Sequence, residues 1–312
     1  MKIAVVYDEP LSGEKQDMVS AVCSALNIRY EASPLPFDEN FIHNVKTYDF
    51  VFNLSTGGGK YNKQVHVPAL LDRLGIPFTG SSAGIQALCM DKSLTKLVLR
   101  ENSIPTPSFI KFHSPKKLRD PGFYPAFVKP SREGSAAGIS EKSCVNNFDE
   151  LKEQVRYVFE EFGDVIVEEF IDGREFTVGI IGNGDELEVL PILEIDFSML
   201  PDGLERYYSY RVKHHYAEET KYICPARITP DEERRLKDYS RKAFKALGLF
   251  DYARMDVRMK NGEFYIIEVN SLPLLVPVYS DLTKMLEPVG LSYDDLILKI
   301  FEAAKRRVER SR

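Results

Sequence analysis

Two carboxylates, a guanidinium and an amide lie close together near the carboxyl end of the chain, as Arg254, Asp256, Glu268 and Asn270. Oxygen donors of this kind hold hard divalent ions such as magnesium. Pairs of such ions, about 3.5–4 Å apart, clamp the oxygens of a phosphoryl transfer. A cation beside them has a second use, stabilising negative charge as it develops on a reacting oxygen. The alternative is a solvated polar face without chemistry.

What must position these residues is a hairpin, because two alternating runs, Tyr252 to Met259 and Glu263 to Asn270, flank an Asn-Gly. A two-residue Asn261-Gly262 turn would mix charge and core on both faces. A three-residue loop of Lys260, Asn261 and Gly262, with Gly262 at positive φ, sorts them cleanly. The expectation is therefore one buried face of Ala253, Met255, Val257, Met259, Tyr265, Ile267 and Val269. Arg254, Asp256, Arg258, Phe264, Ile266, Glu268 and Asn270 would share the other, with Arg254 opposite Glu268 and Asp256 on its diagonal.

Upstream, the apolar run Ile3–Tyr7 reads as a parallel strand, followed by a helix over about Glu14–Leu26. A second strand, Phe50–Leu54, runs into Ser55-Thr56-Gly57-Gly58-Gly59-Lys60. Tyr61 follows that lysine where a phosphate-binding P-loop needs Ser or Thr, so the loop reads as a substrate wall instead. A helix over Val67–Leu74 and a short strand at Pro77–Thr79 close a first α/β unit. One helix is expected from Ser82 to Glu101, with Lys92 and Lys96 on one face. The strand Pro125–Pro130 carries Lys129 into Ser131–Ile139, a run of small residues that could lay amides on a triphosphate or simply form a surface tip. A helix over Asp149–Phe162, the strand Val165–Phe170 and an antiparallel successor over Gly173–Gly182 come next. The carbonyls linking these strands suit the amino edge of adenine, and Glu175 can accept from ribose hydroxyls. Tyr207–Tyr216 reads as a mobile loop over the site. Helices over about Asp231–Leu247 and Ser292–Arg310 enclose the hairpin.

Composition sets the bounds. A chain of 312 residues can hold two or three packed units, expected at 1–90, 91–182 and 183–312. A net charge of −6 without a long basic run argues against nucleic acid and anionic membranes as partners. Four scattered cysteines, with no Cys-x-x-Cys, indicate neither a zinc site nor a disulfide framework and fit a reducing cytoplasm. The first residues read as a short buried strand rather than a signal peptide, and no 18-residue apolar run exists.

Taken together, several strings resemble the D-alanine-D-alanine ligase family of the ATP-grasp superfamily. They are Leu74-Gly75-Ile76-Pro77-Phe78-Thr79-Gly80-Ser81, Met90-Asp91-Lys92 with Lys96, and Val128-Lys129-Pro130-Ser131-Arg132-Glu133-Gly134-Ser135. Val167-Glu168-Glu169-Phe170-Ile171 through Gly173-Arg174-Glu175-Phe176-Thr177-Val178 follows, then Tyr252 to Asp256 and Glu268 to Asn270. The resemblance implies an amino-terminal parallel-sheet α/β domain followed by a two-subdomain α+β ATP-grasp fold, and a cytoplasmic, homodimeric enzyme joining small amino acids or a hydroxy acid. It implies ATP with two magnesium ions, manganese being a possible substitute. By position, Lys92 and Lys129 would touch the phosphates, and Ser135 would belong to the loop covering them. Glu168, Glu169 and Ile171 would line the adenine slot, with Glu175 on the ribose. Asp256, Glu268 and Asn270 would hold the metals. Arg254, with an amide near Leu274, would stabilise the tetrahedral centre, and Lys213 would match the lid lysine.

The departures lie at the substrate end. The family's His-Gly-x-x-Gly-Glu-Asp-Gly is replaced by the Ser55–Lys60 region, and Glu14 matches the family's amino-end glutamate only after a one-residue shift. Ala136 replaces a serine, and His214 stands where a tyrosine is usual. Ser271 to Leu282 replaces the Pro-Gly-Met-Thr and Ser-Leu that receive the second substrate's carboxylate.

Overall fold

The computed structural model describes residues 1–11, 13–57, 63–216 and 219–311. β1 (Lys2–Tyr7) leads through α1 (Glu14–Asn27) to β2 (Glu31–Pro36), and α2 (Phe41–Asn44) precedes β3 (Phe50–Asn53). The three strands form a parallel sheet ordered β2-β1-β3. Pro34 and Pro36 cannot donate to a ladder, which suits β2 to its place at the edge. After α3 (His66–Leu74), Pro77–Thr79 contributes a single bridge, Val51 to Phe78, rather than a strand.

The helix expected from Ser82 to Glu101 is two helices, α4 (Ala83–Met90) and α5 (Lys92–Glu101). Asp91 breaks them: at φ −94° and ψ 100° it leaves helical geometry, and its carboxylate accepts from the amides of Ser93 and Leu94. Capping of this kind satisfies donors that a helix start would otherwise orphan. Lys92 thereby becomes the first residue of α5, with its own amide bonded to the Ser131 carbonyl.

β4 (Phe109–Phe112), β5 (Ala126–Pro130), β6 (Cys144–Val145) and β7 (Val165–Glu169) form an antiparallel sheet ordered β4-β7-β5-β6. It buries Val128 and Val167 against Val155 and Val158 of α6 (Phe148–Phe162). β8 (Arg174–Ile181) does not pair with β7 as expected. It joins a third sheet, ordered β11-β10-β8-β12-β13 with β9 (Glu188–Val189) on its flank. The other strands of this sheet are β10 (Leu193–Asp196), β11 (Lys221–Ile223), β12 (Tyr252–Lys260) and β13 (Glu263–Asn270). Packing decides this: Phe176, Val178 and Ile180 of β8 share a core with Met255 and Val257 of β12. The Tyr207–Tyr216 region, expected as a loop, contains α7 (Tyr210–His215). Ser209 caps it, and its Val212 is buried beside Ile195 and Phe197. α8 (Pro230–Leu247), α9 (Asp281–Lys284) and α10 (Tyr293–Arg310) complete the chain, α8 and α10 each opening with a capping box.

The hairpin corrects the expected register. Its turn has two residues, Asn261 (φ 53°) and Gly262 (φ 77°), and Lys260 pairs with Glu263. Both residues are left-handed, as a primed turn between twisted strands requires. The sorting comes instead from a bulge farther down: Val257 faces Ile266 but Asp256 faces Glu268, leaving Ile267 as the extra residue. Before the bulge Phe264 and Ile266 enter the core, and after it Val269 does. Phe264 and Ile266 therefore do not interleave with the charges, and Tyr265 and Ile267 do not share the core face. Arg254, Asp256, Glu268 and Asn270 share the opposite one, with Asp256 directly across from Glu268 and Arg254 from Asn270.

Asp251, fully buried, ties the first sheet to the third and to α10. It accepts from the Gly80 amide at 2.8 Å, Asn183 Nδ2 at 2.9 Å, and Arg307 Nε and Nη2 at 2.9 and 2.8 Å. Its φ of 66° is one that Asn also tolerates, so Asp251→Asn removes charge without disturbing the backbone. Breaking a buried pair in this way is expected to cost about 3–5 kcal/mol. A urea titration should show the midpoint falling with an unchanged slope; an unaltered midpoint would remove Asp251 from the centre of the fold.

Candidate active site

Between the second and third sheets lies a cleft of about 410 Å³. β8, β12 and β13 supply one wall, and Lys129, Glu168, Glu169 and the loop after β5 supply the other. The loop is held tightly. Gly138 (φ 74°) has no room for a Cβ, which would come within 2.6 Å of Pro130 Cγ. Ser135 and Ala136 are both left-handed, at φ 54° and 60°. Strain of this sort, on the order of 1–3 kcal/mol per residue, is characteristic of ligand clamps.

Charge around Lys92, Glu168 and Asp256 is paired. Lys92 Nζ lies 3.1 Å from Glu268 Oε1 and donates to the Glu133 carbonyl. Glu168 sits between two cations, with Lys129 Nζ at 3.0 Å and Lys96 Nζ at 3.3 Å, and all three side chains are buried. Arg254 grips Asp256 with two hydrogen bonds, Nε to Oδ1 at 3.0 Å and Nη2 to Oδ2 at 2.9 Å. Its third nitrogen, Nη1, is 3.3 Å from Asp281 Oδ2. Asn270 Nδ2 donates to Asp256 Oδ2 at 3.0 Å, and Thr177 Oγ1 to Asp256 Oδ1 at 3.3 Å. Asp91, which accepts from Lys111, Arg132 and Ser93, fixes the approach of Lys92.

The proton affinities follow from this burial. Desolvation drives Lys96 down to about 8, partly offset by Glu168. Burial pushes Glu175 up to about 7 against the pull of Arg258, whose Nε is 3.6 Å away. Burial alone would raise Glu268, but Lys92 and Lys129 outweigh it and hold the carboxyl below its ordinary value. Burial would lower Arg254, but Asp256 and Asp281 outweigh it and keep the guanidinium charged.

Among the described residues no three His, Cys, Asp or Glu side chains gather into a metal cluster. The available donors are the facing carboxylates of Asp256 and Glu268 with the amide oxygen of Asn270. An all-oxygen set fits a hard ion. Each carboxylate is matched by a cation, Arg254 or Lys92, so this corner of the cleft calls for positive charge.

Lys92, Lys129, Glu168, Glu169, Ile171, Glu175, Arg254, Asp256, Glu268 and Asn270 thus surround one cleft, and Ser135 stands exposed on the loop above it. Glu14 is exposed in the first turn of α1 and does not line the cleft, although its charge reaches Tyr279. The side chains of Lys213 and His214, and residues 58–60 of the glycine loop, lie outside the described structure. In the sequence Lys96 falls beside Lys92 at i, i+4, and Arg258 falls on the expected face of Arg254 and Asp256, but nothing there gives either a role and nothing singles out Asp281. The contacts of Arg258 with Glu175 and of Asp281 with Arg254 become legible only when strands and α9 are brought together. Among the described residues no helix is long and apolar enough to cross a membrane, and all four cysteines are free.

If Glu175 accepts from a nucleotide ribose, ATP binding should weaken as pH falls through about 7, where its carboxylate gains a proton. Exchanging a charged acceptor for a neutral one costs about 1 kcal/mol, or roughly fivefold in Kd. Titrating ATP between about pH 6 and 8.5 should show this rise, and Glu175→Gln should hold the weaker value throughout. An identical profile in both proteins would place Glu175 elsewhere.

Comparison with known proteins agrees with this geometry. The family model for the D-ala D-ala ligase C-terminus matches residues 98–302. The D-alanine-D-alanine ligase of Thermotoga petrophila is 34% identical over 278 residues, spanning 88% of this chain and 87% of its own length. The D-alanine-D-alanine ligase of Bacillus anthracis, solved with ATP, matches with a TM-score of 0.79 and 28% identity over 100% of both chains. The VanG D-Ala:D-Ser ligase of Enterococcus faecalis matches with a TM-score of 0.73 over 97% of this chain and 99% of its own; at 23% identity it bears on the fold alone. The match over most of the chain, with the paired-charge cleft at its centre, establishes that this protein belongs to the D-alanine-D-alanine ligase family of ATP-grasp enzymes, ATP-dependent ligases that form a C–N bond.

Proposed function

We propose that this enzyme joins two small amino acids of D configuration, activating the carboxylate of the first as an acyl phosphate for attack by the amine of the second. The observation that carries this reading is the run of contacts from Lys92 through Glu268 and Asp256 to Arg254. It sets a lysine, two carboxylates and a guanidinium side by side in one cleft, the groups this reading gives to phosphate, metal and oxyanion.

Each group has a part in that reading. Lys92 and Lys129, with Lys96 behind them, meet the triphosphate, and the loop bearing Ser135 closes over it. Glu169 and Ile171 line the adenine slot, and Glu168 fixes Lys96 and Lys129. Asp256, Glu268 and Asn270 are the residues to hold magnesium, which would supply charge neutralisation on the phosphate oxygens. Arg254, held in place by Asp256 and by Asp281 on its far side, stabilises the carbonyl oxygen as negative charge collects there. β8 lies within the unit expected at 91–182 yet joins the third sheet, and on this reading the second and third sheets would close on one another around the nucleotide.

Phosphate release from ATP and magnesium across D- and L-amino acids and hydroxy acids, with mass spectrometry of the products, tests the reading. Release with D-amino-acid pairs supports it, and release only with hydroxy acids would replace the acceptor class. No release with any pair would overturn it. Glu268→Gln should abolish turnover with the fold intact, and near-normal turnover at saturating magnesium would sink the metal assignment. Arg254→Ala should spare ATP binding and lower kcat about 100- to 1,000-fold; parallel loss of ATP affinity would move Arg254 to the nucleotide site.

A further inference from the structure

Beyond Arg254 the cleft continues into a pocket whose polar groups, apart from the hold of Asp281 on Arg254, have no part in the roles above. Asp281 and Lys284 both line it, from the start and end of α9. Asp281 Oδ2 is 3.3 Å from Arg254 Nη1, and Asp281 Oδ1 is 3.5 Å from Lys284 Nζ. Lys284 lies over the Tyr222 ring, 3.9 Å from its centroid, and donates to the Tyr279 carbonyl. Tyr222 and Tyr208 are hydrogen-bonded to each other. Burial first, and Asp281 with it, raises the pKa of all three phenols, so these rings are neutral walls around a charged pair. The pair is set by strained backbone: Val278, a β-branched residue, is left-handed at φ 64° just ahead of it.

The charge pattern has a direction. Reading away from the reaction centre, it runs guanidinium, carboxylate, ammonium. A zwitterionic α-amino acid laid along it meets opposite charge at both ends, its amino group at Asp281 and its carboxylate at Lys284. The amine then stands next to the carbonyl that Arg254 polarises. A hydroxy acid fills only half of the pattern, since its hydroxyl brings no charge to Asp281. An aromatic-walled site also strengthens both contacts by excluding water.

We propose that Asp281 and Lys284 form the acceptor subsite and select a zwitterionic amino acid over a hydroxy acid; this rests on the ligase reading above. Charge-assisted contacts of this kind are each worth about ten- to a hundredfold in affinity. Steady-state kinetics of the full chain with ATP, magnesium and D-alanine, which resolve a donor and an acceptor KM, should show Lys284→Met raising the acceptor KM at least tenfold more than the donor KM. Lys284→Arg, which keeps the charge, should restore it and guard against a folding defect. In competition between D-alanine and D-lactate, Asp281→Asn should lower the amide-to-ester ratio about tenfold or more. That ratio is independent of any loss of kcat through Arg254, which both acceptors share. Equal changes in both KM values, or an unchanged ratio, would overturn the assignment while leaving the ligase reading in place. No product from the unmodified protein with any pair would overturn both.

Discussion

Asp251 is the point at which the first sheet, the third sheet and α10 are joined. Its carboxylate has about four places to accept a hydrogen bond, and Gly80, Asn183 and both arms of Arg307 fill them from three distant stretches of chain. The same Arg307 donates to the Phe78 carbonyl and lies over Phe250. A buried charge so fully compensated specifies one arrangement, because any other leaves an ion without partners in low dielectric. Its neighbour Tyr252 begins β12, so the knot also fixes where the hairpin enters the cleft.

From that fixed start the hairpin sorts its residues by one irregularity. An unbroken two-residue hairpin would have set Glu268 on the face opposite Asp256, since side chains alternate strictly along a strand. The bulge at Ile267 spends one residue to rotate the end of β13. Core packing before it and site chemistry after it then coexist on the same two strands. Bulges are common beside active sites for this reason, re-aiming side chains without breaking the sheet.

The cleft itself is arranged as compensated charge. Lys92 meets Glu268 of β13, Lys129 and Glu168 pair within the second sheet, and Arg254 is held between Asp256 and Asp281. The groups proposed to meet phosphate and developing negative charge are thus already desolvated, oriented and ionised. Little reorganisation remains for the moment of reaction, which is where preorganised electrostatics gains over water. Lys96 and Glu175 show the cost of such burial, their proton affinities moved toward neutrality by desolvation.

The sequence by itself determined most of what is periodic or local. The apolar run of β1, the amphipathic α1, α6, α8 and α10, the existence of the β12–β13 hairpin though not the length of its turn, and the small residues after Lys129 are signals carried by neighbours in the chain. So was the set Arg254, Asp256, Glu268 and Asn270, because two alternating strands with charge among the apolar residues have few ways to fold. The tertiary structure decided what depends on distant partners. It placed β8 against β12 rather than β7, because the shared core of Phe176, Val178, Met255 and Val257 outweighs adjacency in the chain. It broke the Ser82–Glu101 helix at Asp91, whose carboxylate is worth more as a cap and as a partner to Lys111 and Arg132 than within a helix. Only it could find Arg258 beside Glu175, or Asp281 beside Arg254, since no spacing along the chain announces a contact between a strand and a four-residue helix. Pairing a buried charge is a requirement of the folded state alone, and in an extended chain these residues are simply polar.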